Sequence, residues 1–206
     1  VSLHRVAIDA AVAAGVGRIL YTSHQGAASD NPFAPGRVHF ATEQLLAGSG
    51  IAWTSLRNGF YAHSLTWLMG PWRETDRVTV PADGPVSWTA REDAAEAAAI
   101  ILASDGAYDG PTILTASAAP TFAEIATIVS ELTGRAIERV LMDPQEWLAV
   151  QIAAGQSEVV AGFTLPLYQA AEQGFFAGID PLLGVLLGRE LQTVRELLAE
   201  PAAVSP

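Results

Sequence analysis

"GRILYTSHQGAAS", residues 17–29, decides the fold. A short apolar run, Ile19-Leu20-Tyr21, breaks into Thr22, Ser23, His24 and Gln25, with Gly26 behind them. An apolar strand that ends in hydroxyls, an imidazole and a glycine reads as the floor of a pocket. The pattern outward supports this. Upstream, Val6, Ala7, Ala10, Ala11 and Ala14 recur at helical spacing over 3–16, and Gly15 supplies a stop. Downstream, 24–37 reads as a loop punctuated by Asn31-Pro32 and Pro35-Gly36. A helix is predicted over 38–47, Gly48-Ser49-Gly50 ends it, and Ile51–Leu56 is a second strand broken by Arg57-Asn58-Gly59. Strand, helix, strand with short glycine-containing connections is the signature of a parallel βαβ sheet. Such sheets place ligands at the carboxyl ends of their strands. Both strand ends here are polar, so the two are expected to line one crevice.

The alternation continues. Val78–Val80 and Val86–Thr89 read as short strands around the turn Asp83-Gly84, and Asp93–Ala103 as an alanine-rich helix for which Asp93 is the simplest N-cap. Thr112–Thr115 reads as a strand. Phe122–Leu132 reads as a helix with a Thr121–Glu124 capping box and Gly134 at its end. Ile137–Leu141 is a further strand, and Pro144 opens a helix after Asp143. Beyond Ala153 the pattern is helical and interrupted by glycine, and "EPAAVSP", 200–206, reads as a frayed end. We divide the chain into a sheet-containing part, 1–142, with excursions into a lobe, and a mostly helical segment, 143–206.

Composition excludes several chemistries. The chain has 206 residues, no cysteine and a net charge of −11, and all 11 of its cations are arginine. Without lysine there is no Schiff-base or P-loop lysine and no Tyr-x-x-x-Lys dyad. Acidity without a basic stripe argues against a nucleic-acid partner. No apolar run reaches the length of a membrane span, and no signal-peptide pattern opens the chain. The lack of cysteine fits a reducing compartment, and the expected location is the cytoplasm.

Candidate site residues follow from local chemistry. In "TSLRNGFYAH", 54–63, Gly59 permits close backbone approach, and Asn58 can bond a ligand amide or its own turn. Phe60 and Tyr61 can stack on a flat ring or pack into the core. Arg91 stands at a strand–helix junction, where it can grip an anion or pair with a neighbouring acid. His39 and Glu43 lie one helical turn apart. They can form an acid/base pair, with Glu43 orienting His39, or a plain surface contact. They make a poor metal site, with no third ligand in register, and no metal is expected. Ser23 and His24 are adjacent on a strand, point to opposite faces and lack a Gly-x-Ser-x-Gly elbow, which argues against a hydrolase. Trp67, Trp72, Trp88 and Trp147 are scattered, as core or pocket-lining residues are.

Four segments occur in an order and spacing that resemble the NmrA-like branch of the atypical short-chain dehydrogenases/reductases. They are "HRVAIDAAVAAGVGRILYTS", "HFATEQLLAGSGIAWTSLRNGFY", "VSWTAREDAAEAAA" and "PTFAEIATIVSELTG". The bacterial NAD(P)H:quinone oxidoreductase type is the nearest in flavour. The resemblance implies an α/β fold: the C-terminal part of a Rossmann-type parallel sheet with a smaller, mostly helical substrate lobe. It implies NADP(H), or NAD(H), as cofactor and hydride transfer to a small, flat, electron-poor substrate such as a quinone. A homo-oligomer is possible. By the same resemblance Thr22 and Ser23 sit beside the ribose and nicotinamide. Asn58, Gly59, Phe60 and Tyr61 line the nicotinamide end, and Arg91 contacts the cofactor or closes the cleft. His39 and Glu43 fall where other members carry their catalytic Tyr and Lys, and Tyr61 and His39 become proton-donor candidates. The alternatives are an NADP(H)-sensing regulator without turnover, or an inactive fragment. One departure is large: the family's Gly-x-x-Gly-x-x-Gly turn, which cradles the pyrophosphate at a helix N-terminus, occurs nowhere in this sequence. The expectation is therefore that the first βαβαβ half is missing from these residues, that the sheet exposes apolar edges, and that this chain alone binds NADP(H) poorly.

Overall fold

The computed structural model describes residues 1–104 and 106–199, so the expectation for 200–206 lies outside the described residues. Helix α1 (Ser2–Ala13) leads through Gly15, in the left-handed conformation at φ 68°, into strand β1 (Arg18–His24). Helix α2 (Ala34–Ala47) follows, then strand β2 (Ala52–Asn58). The helix starts four residues before its predicted position. Pro35 falls in its first turn, where the missing N–H costs nothing. Gly36 packs so closely on the Asn31 amide that a Cβ there would lie 2.5 Å from Nδ2. The residues that read as loop punctuation thus open a helix. Likewise β2 runs through Arg57 and Asn58 instead of breaking at them.

Strand β3 (Phe60–Tyr61) continues beyond Gly59 and pairs in parallel with β5 (Trp88–Thr89). Between them lie a 3-10 turn (Ala62–Ser64), the short helices α3 (Leu65–Leu68) and α4 (Trp72–Thr75), and strand β4 (Arg77–Val80). Helix α5 (Arg91–Leu102) leads to β6 (Gly110–Leu114) and α6 (Phe122–Thr133), whose predicted capping box is present in full. Strand β7 (Glu138–Leu141) pairs in parallel with β4. Helices α7 (Pro144–Ala153), α8 (Glu158–Glu172), α9 (Leu182–Leu187) and α10 (Val194–Ala199) complete the chain.

The central sheet has the order β1-β2-β6, all parallel. Its register sets His24 opposite Asn58 and Asn58 opposite Leu114, so three carboxyl ends stand in one row. Helices cover both faces, as a parallel sheet requires. Leu56 and Leu114 pack with Ala97 and Ile101 of α5 and Leu183 of α9. Ile19 and Tyr21 face α1 and α2. β1 forms one edge of this sheet, and α1 leaves Leu3 and Val6 exposed. A larger apolar cluster, including Phe33, Met69, Trp88, Phe122, Tyr168 and Phe176, joins the β3/β5 and β4/β7 pairs to α6 and α8.

Two local expectations are corrected. Asp93 does not cap α5, which begins at Arg91 after Ala90. Its buried carboxylate pairs with Arg189 (2.8 Å) and accepts from the Gln192 N–H (3.2 Å), so a tertiary contact takes the side chain that a cap would use. The strands expected around a turn at Asp83-Gly84 do not pair with each other: only Trp88–Thr89 of 86–89 is strand, and β4 and β5 pair with β7 and β3. The Asp83 carboxylate accepts from the N–H groups of Phe122 (2.8 Å) and Ala123 (3.1 Å) at the start of α6 and pairs with Arg139. Gly84 lies against the end of α8, where a Cβ would meet the Ala171 carbonyl oxygen at 2.2 Å.

Candidate active site

The crevice at the carboxyl ends of β1 and β2 is built by chain register first. The Gln25 N–H donates to the Asn58 carbonyl (2.9 Å), and the Gly59 N–H donates to the Leu114 carbonyl (2.9 Å), which locks the three strand ends together. Phe176 and Gly178, remote in sequence, close over them. Gln25 Nε2 donates to the Gly178 carbonyl (3.2 Å), and the His24 ring meets Phe60 (5.4 Å) and Phe176 (5.0 Å) edge-on.

Three polar atoms here are buried without a partner: His24 Nε2, Gln25 Oε1 and Asn58 Oδ1. The second polar atom of each side chain is engaged. His24 Nδ1 accepts from the Gly26 N–H (3.0 Å), which puts the imidazole proton on Nε2. Asn58 Nδ2 donates to the Tyr61 hydroxyl (3.1 Å). Burial, and secondarily the nearby His39, push the His24 pKa down to about 3, so this ring is neutral at ordinary pH. The adjoining strand ends thus hold one unmet donor and two unmet acceptors, whereas buried polar groups are normally satisfied.

Each residue named from sequence has a definite place. Thr22 is exposed, whereas Ser23 is buried and donates to Glu43 Oε1 (2.8 Å). Gly59 has close neighbours of the protein's own: a Cβ would meet Thr89 Oγ1 at 2.2 Å and the Ser87 carbonyl at 2.7 Å. Phe60 packs with Phe33, Trp88 and Phe176 and takes the core option. Tyr61 is half-buried, with the Arg91 guanidinium 5.3 Å over its ring. Arg91 also donates to His63 Nε2 (2.5 Å) rather than pairing with a neighbouring acid. Burial, then the Arg91 charge, hold the His63 pKa below its usual value. A cavity of about 500 Å³ opens beside this group, lined by His63, Arg91, Glu92 and Gln192.

The His39–Glu43 pairing does not form, in either of the two versions open in the sequence. Glu43 is not on the surface: it is 2 % exposed and accepts from Ser23, Ser55 (2.7 Å) and Arg57, with Nε at 3.0 Å and Nη2 at 2.5 Å. Burial works to raise its pKa, but the hydrogen bonds from Arg57, Ser55 and Ser23 outweigh it and hold the carboxyl below its ordinary value. His39 Nδ1 instead bonds the Tyr21 hydroxyl (2.7 Å), and its ring stacks toward His24 at 6.4 Å. Helical spacing puts the two residues on one face, but the sheet beneath supplies each with a better partner. Glu43 therefore fastens α2 to both β1 and β2.

Gln25, His63, Phe176 and Gly178 were not singled out as site residues. The first two lie within the stretches 17–29 and 54–63, but Phe176 and Gly178 carry no local signal because only tertiary folding brings them to the crevice. Among the described residues no group of three or more His, Cys, Asp or Glu side chains converges as a metal site, and no helix is long and apolar enough to cross a membrane.

Comparison with known proteins agrees with this architecture. The NmrA-like family profile matches residues 4–182. An NmrA-like family domain-containing oxidoreductase, flvB, of Aspergillus flavus is 30% identical, the match covering 96% of this chain and 67% of that protein. An NAD(P)H azoreductase of Xenophilus azovorans is 28% identical over 98% of this chain and 71% of its own length. The crystal structure of an NADPH-dependent quinone oxidoreductase from Escherichia coli, complexed with NADPH, superimposes with a TM-score of 0.86 at 28% identity. That match covers 95% of this chain and 69% of the other. With the profile matching most of the chain and a relative 30% identical over 96% of it, the chain belongs to the NmrA-like family.

Proposed function

We propose that the crevice is the nicotinamide end of an NAD(P)H-dependent reductase site acting on a flat, electron-poor substrate of the quinone class. The observation that carries this reading is the buried set His24 Nε2, Gln25 Oε1 and Asn58 Oδ1, one donor and two acceptors without partners. A nicotinamide carboxamide offers one acceptor and two donors, so the residues present fit that end of the cofactor. They do not supply a pyrophosphate cradle, because the sequence has no Gly-x-x-Gly-x-x-Gly turn. When bound, the cofactor supplies a hydride. The relatives named for azo and quinone reduction support the substrate class.

In this reading His24, Gln25 and Asn58 orient the carboxamide. Phe60 and Phe176 keep water from the neutral His24 ring. The Tyr61 hydroxyl, which accepts from Asn58 Nδ2, is the proton donor in this reading, with the Arg91 guanidinium 5.3 Å over its ring. A quinone reduced by hydride can also take its proton from water, so a Tyr/Lys dyad is not required.

One observation favours a second reading, a sensor that binds NADP(H) without turnover: Glu43 and His39 are both committed to structural partners. NADPH oxidation with menadione as acceptor separates the two. NADPH is titrated to millimolar concentration. Quinone-dependent oxidation, lowered at least about tenfold by Asn58→Leu as expected for a lost orienting hydrogen bond, supports the reductase. Saturable NADPH binding without oxidation supports the sensor. Absence of both overturns the site.

A further inference from the structure

A cavity of about 530 Å³ lies apart from the strand-end crevice. It lies in the lobe, between the β4/β7 pair and helices α3, α7 and α8, and shares no lining residue with the crevice. Its volume falls within the range of small-molecule sites.

The lining has a specific chemistry. Trp147 and Met69 form a buried apolar wall, Met142 is half-buried, and Trp67 stands 46% exposed at the mouth. A large exposed aromatic beside two thioethers suits a flat aromatic ligand. Gln156 adds an amide whose buried oxygen has no hydrogen-bond partner. Arg77 is the one charged residue of the lining. No carboxylate of the described residues lies within ion-pair distance of Arg77, although Glu138 is its register neighbour on β7.

We propose that this lobe cavity is a second small-molecule site, taking a flat aromatic monoanion such as an aryl carboxylate. Trp67 and Trp147 enclose the ring, Arg77 holds the anionic group, and the Gln156 amide bonds a polar edge substituent. The site is independent of the hydride-transfer crevice and does not rest on that reading.

The probes are 2-naphthoate and its neutral analogue 2-naphthamide, titrated against the chain by tryptophan fluorescence with and without saturating NADPH. The expected result is saturable 2-naphthoate binding that NADPH does not displace. Arg77→Gln, a substitution at an exposed site, weakens 2-naphthoate at least about threefold and leaves 2-naphthamide unchanged, the scale of a partly exposed ion pair. Val150→Trp, on the exposed side of the cavity, fills it and weakens both probes. The proposal is overturned if neither probe saturates, if NADPH displaces 2-naphthoate, or if Arg77→Gln affects both probes equally or neither. Quinone turnover is measured separately, so failure here is distinguishable from failure of the reductase reading.

Discussion

Replacing Glu43 tests whether it fastens the sheet ends or takes part in proton transfer. The carboxylate is 2 % exposed and receives four hydrogen bonds, from Ser23, Ser55 and twice from Arg57. Truncation in Glu43→Ala leaves two buried hydroxyls and a guanidinium without their acceptor. Breaking a buried pair on one side costs about 3–5 kcal/mol. The Arg57 side chain is 22% exposed and can regain water, so the lower end, about 3 kcal/mol, is expected. Glu43→Gln keeps the shape and an acceptor oxygen and should cost about 1–2 kcal/mol. Arg57→Ala with the double variant closes a cycle whose coupling should exceed about 1 kcal/mol. Urea denaturation with linear extrapolation measures all four proteins. The sign with pH also follows. Because the folded pKa is lowered, the contribution is full above the unfolded value of 4.5 and is lost as pH falls through the folded value. A Glu43→Ala cost below about 1 kcal/mol would refute the structural role. A Glu43→Gln variant that folds normally but loses menadione turnover would restore Glu43 to proton transfer.

Two further outcomes follow from buried groups. His24, neutral in the fold with its pKa lowered from 6.5 to about 3, contributes stability that is complete above pH 6.5 and declines as pH falls toward 3. Between pH 6.5 and pH 5 the loss from this one residue is about 2 kcal/mol. His24→Asn, which can still accept from the Gly26 N–H, should flatten the stability–pH curve in that window, and an unchanged slope would contradict the buried neutral ring. Gly84→Ala drives a methyl to 2.2 Å from the Ala171 carbonyl oxygen, and helix backbone cannot yield as a side-chain tip can. A loss of at least about 2 kcal/mol by thermal or urea unfolding is expected, and a neutral result would show that α8 is free to shift.

The sequence by itself determined the parallel βαβ alternation, the capping box at Thr121 and Glu124, and the polar ends of β1 and β2 that stand side by side. Each of these is local. Apolar runs, cap residues and glycine stops act within a few neighbours, so the information sits where the structure forms. It also determined what is not present, since a chain without lysine or cysteine cannot carry their chemistry. Which side chains are free within the crevice was decided only by the tertiary structure. Glu43 and His39 share a helix face in any helix, but that face could not show that Ser23, Ser55 and Arg57 would enclose one and Tyr21 engage the other. Asp93 looked like a cap until Arg189, 96 positions later, claimed it. Within the strand read over 86–89 only Trp88–Thr89 forms, and its partner β3 was not foreseen; the pair exists because Gly59 lets the chain run against Ser87 and Thr89. Phe176 and Gly178 reach the crevice from a turn after α8, and the lobe cavity draws its lining from four separate stretches of chain. A buried polar group takes whichever partner the packed chain brings within hydrogen-bond reach, and that choice is made by contacts that sequence neighbourhood does not encode.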